Sequence, residues 1–149
     1  MSYITMHWAA AYLGKPWRSG ARGPDAFYCW GLVQALCEQR LGLRMPEVAT
    51  GTEIGTQQRQ FGAILEASRG QGWRLVAVGD GPRADDIVLM RKRNGDRHCG
   101  YMVHADGQLG VLHADGHQST RGPVGEVVFE TLVQAMNGGY NSIEFWRHA

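Results

Sequence analysis

The sequence predicts an α+β fold in which N-terminal helices pack on a small antiparallel β-sheet. Three observations predict it. Apolar side chains recur at helical spacing through the first half of the chain. Beyond residue 73 the pattern changes to short runs of aliphatic and aromatic residues, separated by Gly, Asp and Asn. Helices first and strands afterwards is an α+β order rather than an alternating one. A chain of 149 residues is long enough for one core and short for two, so one domain over residues 1–149 is expected.

Each element has its own signal. Thr5 as a cap, followed by Trp8, Ala9, Tyr12 and Leu13, outlines a short amphipathic helix over 5–13. "GKPWRSGARGPDAF" (14–27) reads as a Gly- and Pro-punctuated loop. Between residues 29 and 43 apolar side chains occur nearly all round the helical wheel, with Gln34 and Glu38 as a narrow polar stripe. Such a helix is a central, buried one. "MPEVATGTE" breaks it, and 53–68 reads as a third helix with Ile54, Phe61, Ile64 and Leu65 inward. Strands are expected over 73–78, 86–92, 98–104, 110–114 and 142–148. Residues 124–136 fit a strand running into a helix. The chain shows no repeat, low-complexity segment or domain linker.

Composition excludes several classes. A net charge of +1 argues against a nucleic-acid binder that works by neutralising phosphates. The apolar fraction is 44%, and no apolar stretch approaches the roughly 20 residues of a membrane helix. Three cysteines without a CxxC pair fit neither a disulfide framework nor a zinc ribbon. "MSYITMHWAAAYLG" lacks the basic and apolar regions of an export signal, so none is expected.

The chemistry-bearing residues come from separate elements. Cys29 stands at the start of the buried helix, where unpaired N–H groups and the helix dipole favour a thiolate. The same N–H groups suit a tetrahedral oxyanion. A thiolate nucleophile also needs an imidazole to pair with it and to protonate the leaving amine. On a strand, His98, Gly100, Met102 and His104 share one face, while Cys99, Tyr101 and Val103 share the other. Gly100 would let another element approach closely beside His98. His113, ending the next strand, would lie alongside His98 and fix its tautomer and tilt. For Cys29 alone a silent core thiol is the default; its order with Gly31, His98 and His113 favours the nucleophile. Cys37, two turns deeper, and Cys99 read as core, and His104 and His117 as solvated. A zinc site from Cys29, His98, Cys99 or His104 is not expected, because opposite strand faces do not converge on one ion.

Together these motifs resemble the NlpC-type cell-wall peptidases, a papain-like family of cysteine endopeptidases. The family's D-C-x-G-[LF]-V pattern is met by Tyr28-Cys29-Trp30-Gly31-Leu32-Val33, with Tyr28 where the family usually has Asp. Its H-[VC]-G-hydrophobic pattern is met by His98-Cys99-Gly100-Tyr101, and its closing "HA" by His113-Ala114. "YLGKPW", "DDIVLM" and "IEFWRH" resemble its lead-in loop, middle strand and last strand. C-W-G-L-V and G-P-D-x-F look most like the phage tail-tip members. The resemblance implies a papain-like fold and hydrolysis of peptide bonds in peptidoglycan stems or cross-links. Cys29 would attack, His98 would serve as base and then acid, and His113 would orient it. Trp17, Tyr28, Trp30 and Gly100 would line the substrate site, although Trp17 fits a packed loop tryptophan as well. "RKRNGDR" (91–97) reads as a wet hairpin whose Arg91, Arg93 or Arg97 would meet stem-peptide carboxylates. No metal or organic cofactor is implied. Implied partners are the peptidoglycan peptide and other tail-tip proteins, without nucleic acid or membrane. The implied location is the virion tail tip. A structural tail-tip protein that keeps the fold and hydrolyses little is the alternative, and Tyr28 favours it.

Overall fold

A computed structural model describes residues 7–48 and 54–149. The first helix is α1, Cys29–Leu36. Trp30, Leu32, Val33 and Leu36 have no exposed surface, as expected of a helix that is apolar nearly all round. It continues as a π-helical turn, Cys37–Leu41, and ends at Gly42, whose φ of 67° takes the left-handed conformation that closes a helix. Gln34 is not wetted as the polar stripe suggested. It is buried, and its amide donates to the carbonyls of Met45 (3.2 Å) and Pro46 (3.1 Å), tying down the chain that leaves the helix.

Helix α2 spans Ile54–Ala67 and buries Phe61 and Leu65. Before α1 the described part of the expected helix is a 3-10 turn, Trp8–Ala11, capped by the His7 imidazole. Thr5 and the side chain of Ile54 lie outside the described residues.

Six strands follow: β1 (Trp73–Leu75), β2 (Ile87–Lys92), β3 (Arg97–Ala105), β4 (Gln108–Ser119), β5 (Gly122–Thr131) and β6 (Tyr140–His148). They form one antiparallel sheet in the order β1-β6-β2-β3-β4-β5. The 73–78 run makes a shorter strand than expected because the chain turns at Ala77–Asp80, leaving Val78 exposed. β4 is longer than expected because it pairs with β5 all the way to the Ser119–Gly122 hairpin. The ambiguous 124–136 segment is indeed a strand and then a helix, α3 (Leu132–Asn137). Thr131 and Gln134 make reciprocal capping bonds at that junction.

Alternation along the strands divides the core. Cys99, Tyr101, Val103, Leu112 and Ala114 face α1 and α2, where Trp30 stacks on Phe61 at 5.4 Å. Met90, Met102 and Val111 face the other way, toward Ala135 of α3. One ion pair is sealed within the fold. Asp86 is fully buried and accepts two bonds from Arg147, at 2.7 and 2.8 Å, joining the head of β2 to the end of β6. Removing one member of such a pair strands the other charge. Asp86→Ala should therefore cost about 3–5 kcal/mol of stability, read as a lower urea midpoint at unchanged m-value.

Candidate active site

Cys29 is the first residue of α1, and Tyr28 before it is extended (φ −104°, ψ 173°) and gives no side-chain cap. The N–H groups of the first turn thus have no acceptor within the helix. The placement follows from a close contact. A Cβ on Gly31 would stand 2.1 Å from the carbonyl oxygen of Ala21, and that same oxygen accepts from the Tyr28 N–H at 2.9 Å. Only glycine lets the lead-in loop lie this near the helix.

The sheet opens where Cys29 meets it. β3 pairs with β2 from Arg97 but with β4 only from Tyr101, so residues 97–100 present an unpaired edge. Cys29 is half-buried at this edge, on the floor of a cleft of about 940 Å³. The neighbouring Cys99 thiol first, then His98 and the Cys99 backbone N–H, act to hold the Cys29 thiol well below its ordinary range despite burial. Cys99 is shifted the opposite way by its own burial and by Cys29. Cys99 is thus core, as expected, yet it also touches Cys29. An unpaired strand edge is reachable from both faces of the strand, so the rule that opposite faces do not converge fails at this point.

His98 is half-buried, and its Nε2 lies 2.7 Å from Nδ1 of His113. Its Nδ1 is therefore the nitrogen left for Cys29. The ring stacks on Tyr140 at 5.8 Å and 17°, which fixes its plane. His113 is fully enclosed, and burial, with the His98 charge added, pulls its pKa down to about 3. It is a neutral acceptor at ordinary pH. Gly100 explains the spacing, because a Cβ there would stand 2.5 Å from Val111 Cγ2 and 3.1 Å from His113 Cβ.

The remaining expected site residues divide. Trp17 and Tyr28 line the cleft, and Trp17 packs so closely over Gly116 that a Cβ there would lie 2.4 Å from its ring. Trp30 does not reach the cleft: it is wholly buried, and its indole donates to the Pro46 carbonyl at 2.8 Å. Gly100 is buried as a spacer and offers no substrate contact. Arg97 lines the cleft with Lys92, Asp96 and Asp115, whereas Arg91 and Arg93 line neighbouring surface. His104 and His117 are exposed, and Cys37 is core with its thiol pushed up to about 12 by burial. Among the described residues no three His, Cys, Asp or Glu side chains form a metal-binding group.

The model of the NlpC/P60 family matches residues 14–147. The chain belongs to the NlpC/P60 family. No curated protein matches the sequence. Two solved structures of an N-acetylmuramoyl-L-alanine amidase from Bacteroides uniformis resemble it, with TM-scores of 0.54 and 0.53 at 14% identity. The matches cover 94% of this chain and 96% and 95% of those chains. A Bacteroides fragilis protein provisionally assigned as a xylanase gives 0.54 at 13% identity, over 93% of this chain and 98% of that one. At such identities the likeness is one of fold, and it agrees with the papain-like α+β architecture of this NlpC/P60 chain.

Tyr140 and Glu130 escaped the sequence reading. "GGYNS" carries no chemical motif around Tyr140. Glu130 had a signal: if 124–131 is a strand paired with β4, Glu130 shares a face with Val128, the partner of His113.

Two outcomes test this electrostatic picture. Iodoacetamide should alkylate Cys29 in the folded protein at a pH well below the ~8.5 of a free thiol, leave Cys37 untouched, and show a profile moved upward in His98→Ala. His113 should make the fold acid-sensitive: its proton binds near 6.5 in the unfolded chain and near about 3 in the folded one. The unfolded state then holds more protons below 6.5, so stability falls with acid, by about 2 kcal/mol from this group between pH 7 and pH 5. Urea midpoints across that range should fall less steeply in His113→Gln.

Proposed function

We propose that this NlpC/P60 chain is a cysteine hydrolase that cleaves an amide bond in the peptide part of peptidoglycan. The observation that carries the reading is a thiol at a helix N-terminus, held below its ordinary range with His98 among the causes, while the far nitrogen of His98 is engaged by a second, neutral imidazole. The Cys29 thiolate attacks the carbonyl carbon, and the Cys29 backbone N–H helps to hold the oxyanion. His98 delivers its Nδ1 proton to the departing amine, leaving a thioester on Cys29. Water then attacks the thioester while His98 takes a proton from it, which releases the acid and restores the starting pair. His113 accepts from His98 Nε2 throughout and keeps the ring in register.

Family membership and the amidase names of the structural neighbours support peptidoglycan as the substrate class. The C-W-G-L-V and G-P-D-x-F motifs support a place in a phage tail tip, with other tail-tip proteins as partners and the cell wall as the place of action. Tyr28 favours a second reading, a tail-tip structural protein of low activity, because a buried phenol lines the cleft where the family usually has an acid. Digestion of purified peptidoglycan, with the new termini identified by mass spectrometry, separates the two. The hydrolase reading expects new peptide termini from the wild type and none from Cys29→Ala at equal folding. No product from the wild type on any wall substrate would give the structural reading the decision.

A further inference from the structure

The buried ring of His113 raises a question that the three-residue arrangement leaves open. Its Nδ1 faces His98 Nε2 at 2.7 Å, but its Nε2 is enclosed and makes no hydrogen bond. The nearest opposite charge is the carboxylate of Glu130, whose Oε2 lies 3.5 Å away across the β4–β5 pair. A neutral imidazole carries one proton, and its position is decisive here. With the proton on Nε2, Nδ1 is bare and accepts from His98. With the proton on Nδ1, the bare Nε2 would face a carboxylate, lone pair against lone pair, and His98 Nε2 would have to give up its own proton.

We propose that Glu130 is a positioning residue that holds the His113 proton on Nε2 and so extends the arrangement to four members: Cys29, His98, His113 and Glu130. The inference rests on the hydrolase reading for its consequence, not for its geometry. His98 keeps its Nε2 proton through every step of that cycle, both as imidazolium and after Nδ1 has given its proton to the amine. One His113 tautomer therefore serves the whole reaction, and a fixed anion at its far side suits that need. Glu130 reaches the ring from β5 while its side chain stays 31% exposed, so it keeps water contact. Burial and the neighbouring Asp115 of β4 raise its carboxyl, and His98 of β3 opposes them. Those groups, with Cys29 of α1 and its neighbours Cys99 of β3 and Tyr28, and Tyr140 from β6, are titratable side chains around the relay.

The test uses the whole chain with 15N-labelled histidine, together with Glu130→Ala and Glu130→Gln. Protonated and bare imidazole nitrogens are well separated in 15N spectra. Wild-type His113 should show a protonated Nε2 and a bare Nδ1. Glu130→Ala should mix the tautomers, move the Cys29 alkylation profile to higher pH, and lower kcat about tenfold with KM little changed, because only the molecules with a bare His113 Nδ1 keep an acceptor for His98. Glu130→Gln, whose amide oxygen still accepts, should keep the tautomer and recover most of the alkylation profile. A proton on His113 Nδ1 in the wild type overturns the proposal. So does a folded Glu130→Ala or Glu130→Leu protein with unchanged tautomer and unchanged thiol profile. Spectra and alkylation need no substrate, so a wild type that fails to hydrolyse peptidoglycan sinks the hydrolase reading and leaves the tautomer assignment to be judged separately.

Discussion

Everything at the site depends on how near the lead-in loop comes to the first turn of α1. The Ala21 carbonyl sits where a Cβ of residue 31 would be, and it accepts the Tyr28 N–H. That contact holds Tyr28 extended and makes Cys29 the first helical residue. Further backbone bonds, Arg18 N–H to the Phe27 carbonyl and Phe27 N–H to the Pro16 carbonyl, lock the loop upon itself. Because the helix behind Cys29 is anchored by Trp30, Leu32 and Leu36 in the main core, the thiol has little freedom of position. Overpacking in such a contact has no soft side chain to absorb it, since the clashing atom is backbone.

The second constraint is the split between β3 and β4. Had the two strands paired along their whole length, the Cys99 N–H would be a ladder donor and no edge would be open to Cys29. The split costs ladder bonds, and the short His98–His113 contact forms where the two strands part. Burial differs between the two rings. It keeps the enclosed His113 neutral, while His98 is half-buried and lines the cleft. Two identical side chains thus receive different duties from their surroundings alone.

Much of this was legible in the sequence. The wheel of α1, the period-two runs of β2, β3 and β6, and the spacing of Gly31 and Gly100 all report local steric demands, and those demands are met locally. What was missed is tertiary. Gln34 looked like a solvent stripe because a pattern cannot show that residues 45–46 return to cover it. Trp30 looked like a cleft residue because it neighbours Cys29, but successive helical residues point about 100° apart and Trp30 turns inward to Phe61. Cys99 was assigned correctly to the core face of its strand, yet its contact with Cys29 depends on where β4 leaves β3. Glu130 and Tyr140 enter from strands paired through register, which no single segment encodes.

Tyr28 is where the chain departs from the family pattern it otherwise follows, and its electrostatic effect has a definite sign. Its hydroxyl is buried and driven above its usual range, first by burial and then by Cys29 and Cys99, so it stays neutral. An acid at residue 28 would place a second negative charge next to Cys29 and would raise the thiol, since like charges disfavour ionisation. Tyrosine removes that opposition, leaving Cys99 and His98 to set the thiol's range. It also removes a charged acceptor from the cleft, and the loop that an acid would pin is held by backbone bonds instead. The substitution is therefore compatible with a lowered Cys29 thiol, and its effect falls on what the cleft admits: Tyr28 and Trp17 put neutral aromatic surface into a cleft that Lys92 and Arg97 also line.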